Sequence, residues 1–237
     1  MKYTRLGLIG AMEEEIEWFH SGMKEVETEE IAGIRFAVGQ FGGVPVVVCK
    51  SGVGKVNAAV CTQILIDRFG VDAILFTGVA GALDPKLNIG DIVVSTDCMH
   101  HDMDVTALGF ERGVVPYQNN SIYRADEMLH KLAYDCSCEL FPNRTVGGRI
   151  LSGDQFIADR KIVNELYESM NGACTEMEGA AVAQVCEMHG IPFVIIRSMS
   201  DKADGSADIN FVEFTRLAAE NSFRIVEKLL SKLVEQQ

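Results

Sequence analysis

A chain of 237 residues, 48% hydrophobic and 23% charged, has the composition of an ordinary globular protein and the length for one α/β domain spanning 1–237. Its net charge of −13 opposes association with nucleic acid or an anionic membrane surface, so a small molecule is the expected ligand. Seven cysteines without metal-site or disulfide spacing read as reduced thiols, and no apolar run approaches the roughly 20 residues of a membrane helix, so a soluble, cytoplasmic protein is expected.

The opening residues imitate a signal peptide until Glu13, Glu14 and Glu15 interrupt the apolar run. In chain order, short β-branched runs at 6–9, 44–49, 73–77, 92–95 and 193–197 read as buried strands, apolar on both faces. Helical spacing is expected over 14–21, 56–68, 124–138, 162–170, 179–189 and 211–234. Strands alternating with helices imply a mixed, mainly parallel central sheet. Between 99 and 120 the polarity has no period, so this stretch reads as a long excursion of functional or interfacial use.

In an open α/β sheet, ligands sit beyond the carboxyl ends of strands, so the polar residues after each apolar run are the candidates. Gly10-Ala11-Met12-Glu13-Glu14-Glu15 opens a helix whose dipole favours acids, and a turn of about 100° per residue lets one or two of the three carboxylates face a cleft. Ser51-Gly52-Val53-Gly54-Lys55 lacks the first glycine and last hydroxyl of a Walker loop and reads as a strand-to-helix turn. Thr77-Gly78-Val79-Ala80-Gly81 lets a ligand approach the backbone, or is a plain turn. Phe156, in Ser152-Gly153-Asp154-Gln155-Phe156-Ile157, stacks on a planar base or packs in the core. Glu176-Met177-Glu178 and Arg197-Ser198-Met199-Ser200-Asp201 place charge at the end of the most apolar strand, where it must be paired or used on a ligand. Adjacent His100 and His101 point apart and make a poor metal pair, and Cys136 and Cys138 fall in a helical pattern as structural thiols.

Together GAMEEE, SGVGK, TGVAGAL, GDIVVS, DVTALG, SGDQFI, TEMEGAA and RSMSDKAD occur in the order seen in bacterial 5′-methylthioadenosine/S-adenosylhomocysteine nucleosidases, which the chain resembles over nearly its whole length. The resemblance implies a nucleoside phosphorylase-like three-layer α/β/α sandwich. It implies hydrolysis of the N-glycosidic bond of 5′-methylthioadenosine, S-adenosylhomocysteine and 5′-deoxyadenosine, releasing adenine in methionine salvage, with neither cofactor nor metal. By the same resemblance Glu15 activates the water, Asp201 protonates the purine N7 and Glu178 holds the ribose hydroxyls, while Val79, Ala80 and Gly81 line the site. Phe156 lies on the adenine, the Ile157 backbone on the purine edge, Met177 and Phe211 around sugar and base, and Arg197 and Ser200 near the water and Asp201. Family members are homodimers, which implies that Val105, Leu108, Phe110 and Pro116 enter the partner's 5′-alkylthio pocket.

Val79 stands where many members carry serine, and Leu108 with Phe110 where an aromatic and a tyrosine are more common, which implies altered kinetic constants with the reaction retained. A phosphorolytic relative needs cations at the first loop, where this chain has three glutamates that would repel a phosphate dianion by several kcal/mol. An aminofutalosine nucleosidase uses the same base and ribose contacts. A non-catalytic nucleoside-binding protein has no need of Glu15 and Asp201 together.

Overall fold

Side chains alternate across a strand, and the strand β1 (Leu6–Gly10) divides its residues accordingly: Leu6 and Leu8 enter one buried cluster and Ile9 the other. The computed structural model describes residues 3–203 and 207–235, and in it this division runs through the whole sheet. Helices α2 (Lys55–Asp67) and α5 (Gly179–His189) cover one face, with Ala58, Cys61, Leu65, Val182 and Cys186 among the buried side chains. On the other face lie α1 (Glu13–Gly22), α3 (Glu127–Leu140) and α6 (Ala207–Glu235), which contribute Ile16, Phe19, Leu129, Ala133, Ile225 and Leu229. The result is the expected three-layer α/β/α architecture around a mixed sheet.

The expected strands are present, and several run further than their apolar cores: β4 (Val44–Lys50), β5 (Ala73–Ala82), β6 (Ile92–His100) and β10 (Phe193–Asp201). The additional strands are the hairpin β2 (Lys24–Ile31) and β3 (Ile34–Phe41), then β7 (Tyr123–Arg124), β8 (Thr145–Ser152) and β9 (Gly172–Glu176). Helix α4 (Arg160–Met170) packs Val163, Leu166 and Met170 against Leu83 and Leu151. The expected helix over 124–138 begins instead at Glu127, because Asp126 caps it by accepting from the Leu129 N–H at 2.9 Å.

Strand order β10-β6-β8-β9-β5-β1-β4-β3-β2, with a further β10–β5 pairing, bends half of the sheet into a closed ring. Strand β5 pairs with β1 over 73–76 and with β10 along its other edge. Beyond β1, Gly81 and Ala82 pair with Thr175 and Cys174 of β9, so the freed edge of β5 folds over to close the circle. The carboxyl ends of β1, β5, β8, β9 and β10 therefore converge at one rim. The register of β10 on β5 shifts between Met199 and Asp201, a bulge that re-aims the last side chains of the strand.

Phe19 is fully buried, edge-on to Phe41 at 5.4 Å and to Phe223 at 4.8 Å between ring centroids, so it ties α1 to β3 and α6. Phe19→Ala is expected to lower unfolding free energy by about 3–5 kcal/mol, read from urea denaturation. A loss under about 1 kcal/mol would show that this aromatic cluster does not brace the helical layer.

Candidate active site

Glu15 occupies the first turn of α1, where backbone N–H groups have no helical partner. Its carboxylate folds back to accept from Ala11 N at 2.6 Å and Met12 N at 3.0 Å through Oε2, and from Val79 N at 3.0 Å through Oε1. Of the three consecutive glutamates it alone is buried; Glu13 is exposed and pairs with Lys50 at 3.1 Å. Burial drives its pKa above the ordinary carboxylate value, against the lowering effects of Arg197 and the three N–H donors. Gly78 makes this seat available, since a Cβ there would overlap Glu15 Oε1 and lie 2.7 Å from Arg197 Nη1.

Arg197 is 1% exposed and stacks on Phe76 with its guanidinium carbon 4.0 Å from the ring centroid. Its Nη2 donates to Glu176 Oε2 at 2.5 Å, while Nε and Nη1 make no hydrogen bond. Glu178, at the N-cap of α5, accepts from Gly54 N at 2.7 Å. Burial first, then the charge of Glu176, pushes its carboxyl up to about 8, opposed by Arg197 and Gly54. Gly54, at φ 97°, caps α2 in a conformation that favours glycine. The Ser51-to-Lys55 segment is thus the expected strand-to-helix turn, and also the backbone clamp on Glu178.

Asp201, 2% exposed at the end of β10, accepts from Ser200 Oγ at 2.8 Å and from Ala203 N at 2.7 Å. A Cβ on Gly81 would lie 2.8 Å from Asp201 Oδ1, so the two glycines of the Thr77-to-Gly81 stretch clear space for two different carboxylates. That stretch is no turn: it lies inside β5, because β10 pairs with it as far as Gly81. Ser198 to Asp201 likewise lie within β10, which continues past the expected end at Arg197.

These groups meet in a cleft of about 600 Å³, counted to its open mouth, within the usual range of small-molecule sites. The structure brings Glu15, Val79, Ala80, Gly81, Phe156, Ile157, Met177, Glu178, Ser200, Asp201 and Phe211 to its walls. Arg197 stands behind them. Phe156 is half exposed, with its ring edge-on to Phe211 at 5.6 Å, so it is a cleft wall and not core packing. Val105, Leu108, Phe110 and Pro116 lie outside this cleft, on the long segment after β6, and Leu108 is 71% exposed. Asp204, the last residue of RSMSDKAD, lies outside the described residues. Sequence reading passed over Ala11, Met12, Val53, Gln155, Thr175 and Glu176 as cleft residues. All six lie within the motifs of the sequence, without a role of their own, and the charge of Glu176 after an apolar strand was its signal.

His100 bonds Gln184 at 2.9 Å, and the Lys55 ammonium holds Asp102 at 2.6 Å. Among the described residues no cluster of three or more His, Cys, Asp and Glu has the geometry to hold a metal ion.

Residues 5–231 match the model of the Phosphorylase superfamily. The chain is 42% identical over 236 residues to a 5′-methylthioadenosine/S-adenosylhomocysteine nucleosidase of Halalkalibacterium halodurans, covering 97% of this chain and 99% of the relative. Among solved structures, the nucleosidase of that name from Neisseria meningitidis, in complex with methylthio-immucillin-A, superposes with a TM-score of 0.93 at 38% identity, covering 97% of this chain and 99% of that one. The futalosine hydrolase of Helicobacter pylori superposes at 0.92 with 32% identity, covering 97% and 98%.

The raised pKa of Glu178 makes the folded state hold its proton more tightly than the unfolded chain does. Its contribution to stability is therefore complete below the ordinary glutamate value of 4.5 and is lost as pH rises through about 8. Glu178→Gln, which keeps an acceptor for Gly54, is expected to be more stable than the parent above pH 8, by on the order of 1–3 kcal/mol. Urea denaturation from pH 5 to 9 checks this, and a difference that fails to grow with pH would contradict it.

Proposed function

The chain belongs to the Phosphorylase superfamily, and from that premise we propose that it is a 5′-methylthioadenosine/S-adenosylhomocysteine nucleosidase, cleaving the N-glycosidic bond with water and acting also on 5′-deoxyadenosine. The observation that carries the hydrolytic reading is the charge of the cleft. Its described walls hold Glu15, Glu176, Glu178 and Asp201 and neither lysine nor arginine, while the guanidinium behind them is engaged by Glu176. Such walls repel a phosphate dianion and favour the positive charge that a ribose ring acquires as its bond to the base breaks.

The reaction follows from the placement of the groups. Glu15, made more basic by burial and oriented by three backbone N–H donors, takes a proton from water as the water oxygen bonds to the anomeric carbon. The C–N bond breaks with its electron pair going to the base, and Asp201 gives a proton to N7, so that free adenine and the 5′-thioribose leave. The proton gained by Glu15 returns to Asp201 through solvent. Glu178 accepts from the ribose hydroxyls, and the charge developing on the sugar favours its ionised form. Phe156 supplies a flat apolar face for adenine, the Ile157 backbone meets the purine edge, and Met177, Phe211 and Val79 surround the sugar. The released adenine and thioribose place the enzyme in methionine salvage, as a single cytoplasmic domain over 1–237 that needs neither cofactor nor metal.

The assembly we propose is a homodimer. Val53, Val56 and Val60 on and before α2, Met188 on α5, and Leu108, Tyr117 and Ile122 on the long segment are all exposed. Hydrogen bonds from His189 Nε2 to Gln63 Oε1 and from Asn120 to Glu187 knit these elements into one face. Val53 is also a wall of the cleft, so a second copy seated here brings its Val105, Leu108, Phe110 and Pro116 to the mouth where the 5′ substituent emerges.

In phosphate-free buffer the protein is expected to release adenine from methylthioadenosine, with Glu15→Gln and Asp201→Asn each slower by about 10² to 10⁴-fold. Release that requires added phosphate would mean a phosphorylase, and selective cleavage of aminofutalosine would move the assignment to the futalosine branch. Sedimentation of the parent is expected to give a dimer, and Val56→Asp a monomer with at least a tenfold weaker KM for methylthioadenosine. A fully active monomer would exclude the shared pocket.

A further inference from the structure

The fourth buried carboxylate of the site, Glu176, has no free oxygen to offer a substrate. Oε1 accepts from Ser152 Oγ and from Gly179 N at 2.9 Å; Oε2 accepts from Arg197 Nη2 at 2.5 Å, Gly179 N at 2.8 Å and Glu178 N at 3.2 Å. A carboxylate has about four lone-pair directions, so these donors exhaust it. The Ser152 hydroxyl, in turn, accepts from Ala180 N at 2.6 Å, and Gly153 N donates to the Glu176 carbonyl at 3.2 Å. One buried network thus joins the end of β8, where the loop to Phe156 and Ile157 begins, to the end of β9, the first turn of α5 and the middle of β10.

On the nucleosidase reading, we propose that Glu176, seated by Ser152, is the positioning residue of the reaction: it holds Arg197 beside Glu15 and fixes the turn that presents Glu178, without touching substrate. Three features set this apart from simple capping of α5. A cap needs only the N–H groups of that helix, yet Glu176 also binds a guanidinium from a different strand. Arg197 has no other hydrogen-bonding anchor, since Nε and Nη1 are unbonded and the guanidinium otherwise rests on the Phe76 ring. Nη1 and Glu15 Oε1 both lie over the Cα of Gly78, so a swing of the guanidinium displaces charge directly beside the base. The groups that face this network are Glu15, Glu178 and Arg197 from α1, α5 and β10, with the Cys98 and Cys174 thiols behind it.

The test is steady-state adenine release from methylthioadenosine by the full chain, as a function of pH, for the parent, Glu176→Gln, Arg197→Lys and the double variant. Glu176→Gln is expected to lower kcat roughly 10²-fold with KM changed less than about threefold, the pattern of a misplaced reacting group. The acidic limb of its pH profile is expected to move down by on the order of one unit, because a negative neighbour of Glu178 is gone. The double variant is expected to fall no further than the worse single one, since both act through one contact. Multiplicative losses, or a folded Glu176→Gln with the parent's kcat and pH profile, would overturn the proposal and leave Glu176 as a helix cap. Should Glu176→Gln not fold, Ser152→Ala is read in its place: non-additivity with Arg197→Lys supports the proposal, and additivity or no effect overturns it. A parent that releases no adenine refutes the nucleosidase reading itself, a result distinct from each of these.

Discussion

Burying Arg197 and Glu176 together removes two full charges from water, at an effective cost of several kcal/mol per ion, and their attraction offsets that cost only where further hydrogen bonds complete both shells. Here the carboxylate is complete and the guanidinium is not: Glu176 has every acceptor position filled, whereas Arg197 leaves Nε and Nη1 unbonded over Gly78. The pair is thus a fixed half and a reactive half. Glu15, Glu178 and Glu176 all lie in the field of the buried Arg197 guanidinium, and the rest of the rim is arranged to allow it.

That arrangement depends on the sheet closing into a ring. An open sheet would set the ends of β9 and β10 several strands apart, with Glu176 out of reach of Arg197. Because β5 exchanges β1 for β9 at Gly81, and pairs with β10 from Ile74 to Gly81, carboxylates from two strands, β9 and β10, and from two helix starts reach one point. The glycines of β5 are the steric condition for this. Gly78 yields its side-chain volume to Glu15 and Arg197, and Gly81 yields its own to Asp201 and Ala203. A strand that ordinarily profits from β-branched residues gives up that packing where charge must approach the backbone.

The parts of the fold that were legible in sequence are those with a single dominant environment. β1, β4, β5, β6 and β10 are apolar on both faces and bounded by turn residues, and α1, α3, α4 and α6 carry a clear 3.6 period, whereas α2 and α5 are legible by length and apolar content more than by period. β2 was illegible because nearly all of its residues are exposed: Lys24–Ile31 reads as a charged loop and is held by its ladder to β3. β8 carries two glycines and β9 is five residues long, so neither offers a period to detect. In the site, the sequence pattern marks the clusters around Glu178 and Asp201, because charge after an apolar strand demands a partner, and reads the acids around Glu15 as those a helix start favours. It could not say which of Glu13, Glu14 and Glu15 turns inward; family resemblance did, and the buried seat of Glu15 agrees. Glu176 looked like a neighbour of Glu178 because its partners, Ser152 and Arg197, lie 24 and 21 residues away along the chain.

Buried carboxylates clustered around one arginine are an unfavourable resting state, and this bears on how the cleft works. Burial raises the pKa of both Glu15 and Glu178, and at Glu178 the charge of Glu176 adds to it: each holds a proton more firmly than an exposed glutamate does. A neutral nucleoside entering the cleft changes little of this charge balance, whereas a ribose ring turning cationic as its glycosidic bond lengthens meets carboxylates already held in place. The carboxylates thereby interact most strongly with the sugar at the point of bond breaking, which is the condition for speeding a reaction instead of merely binding its substrate. The same reasoning explains the apolar side of the cleft. Met12, Phe156, Met177 and Phe211 keep the local dielectric low, and a low dielectric makes a fixed carboxylate effective against a transient cation.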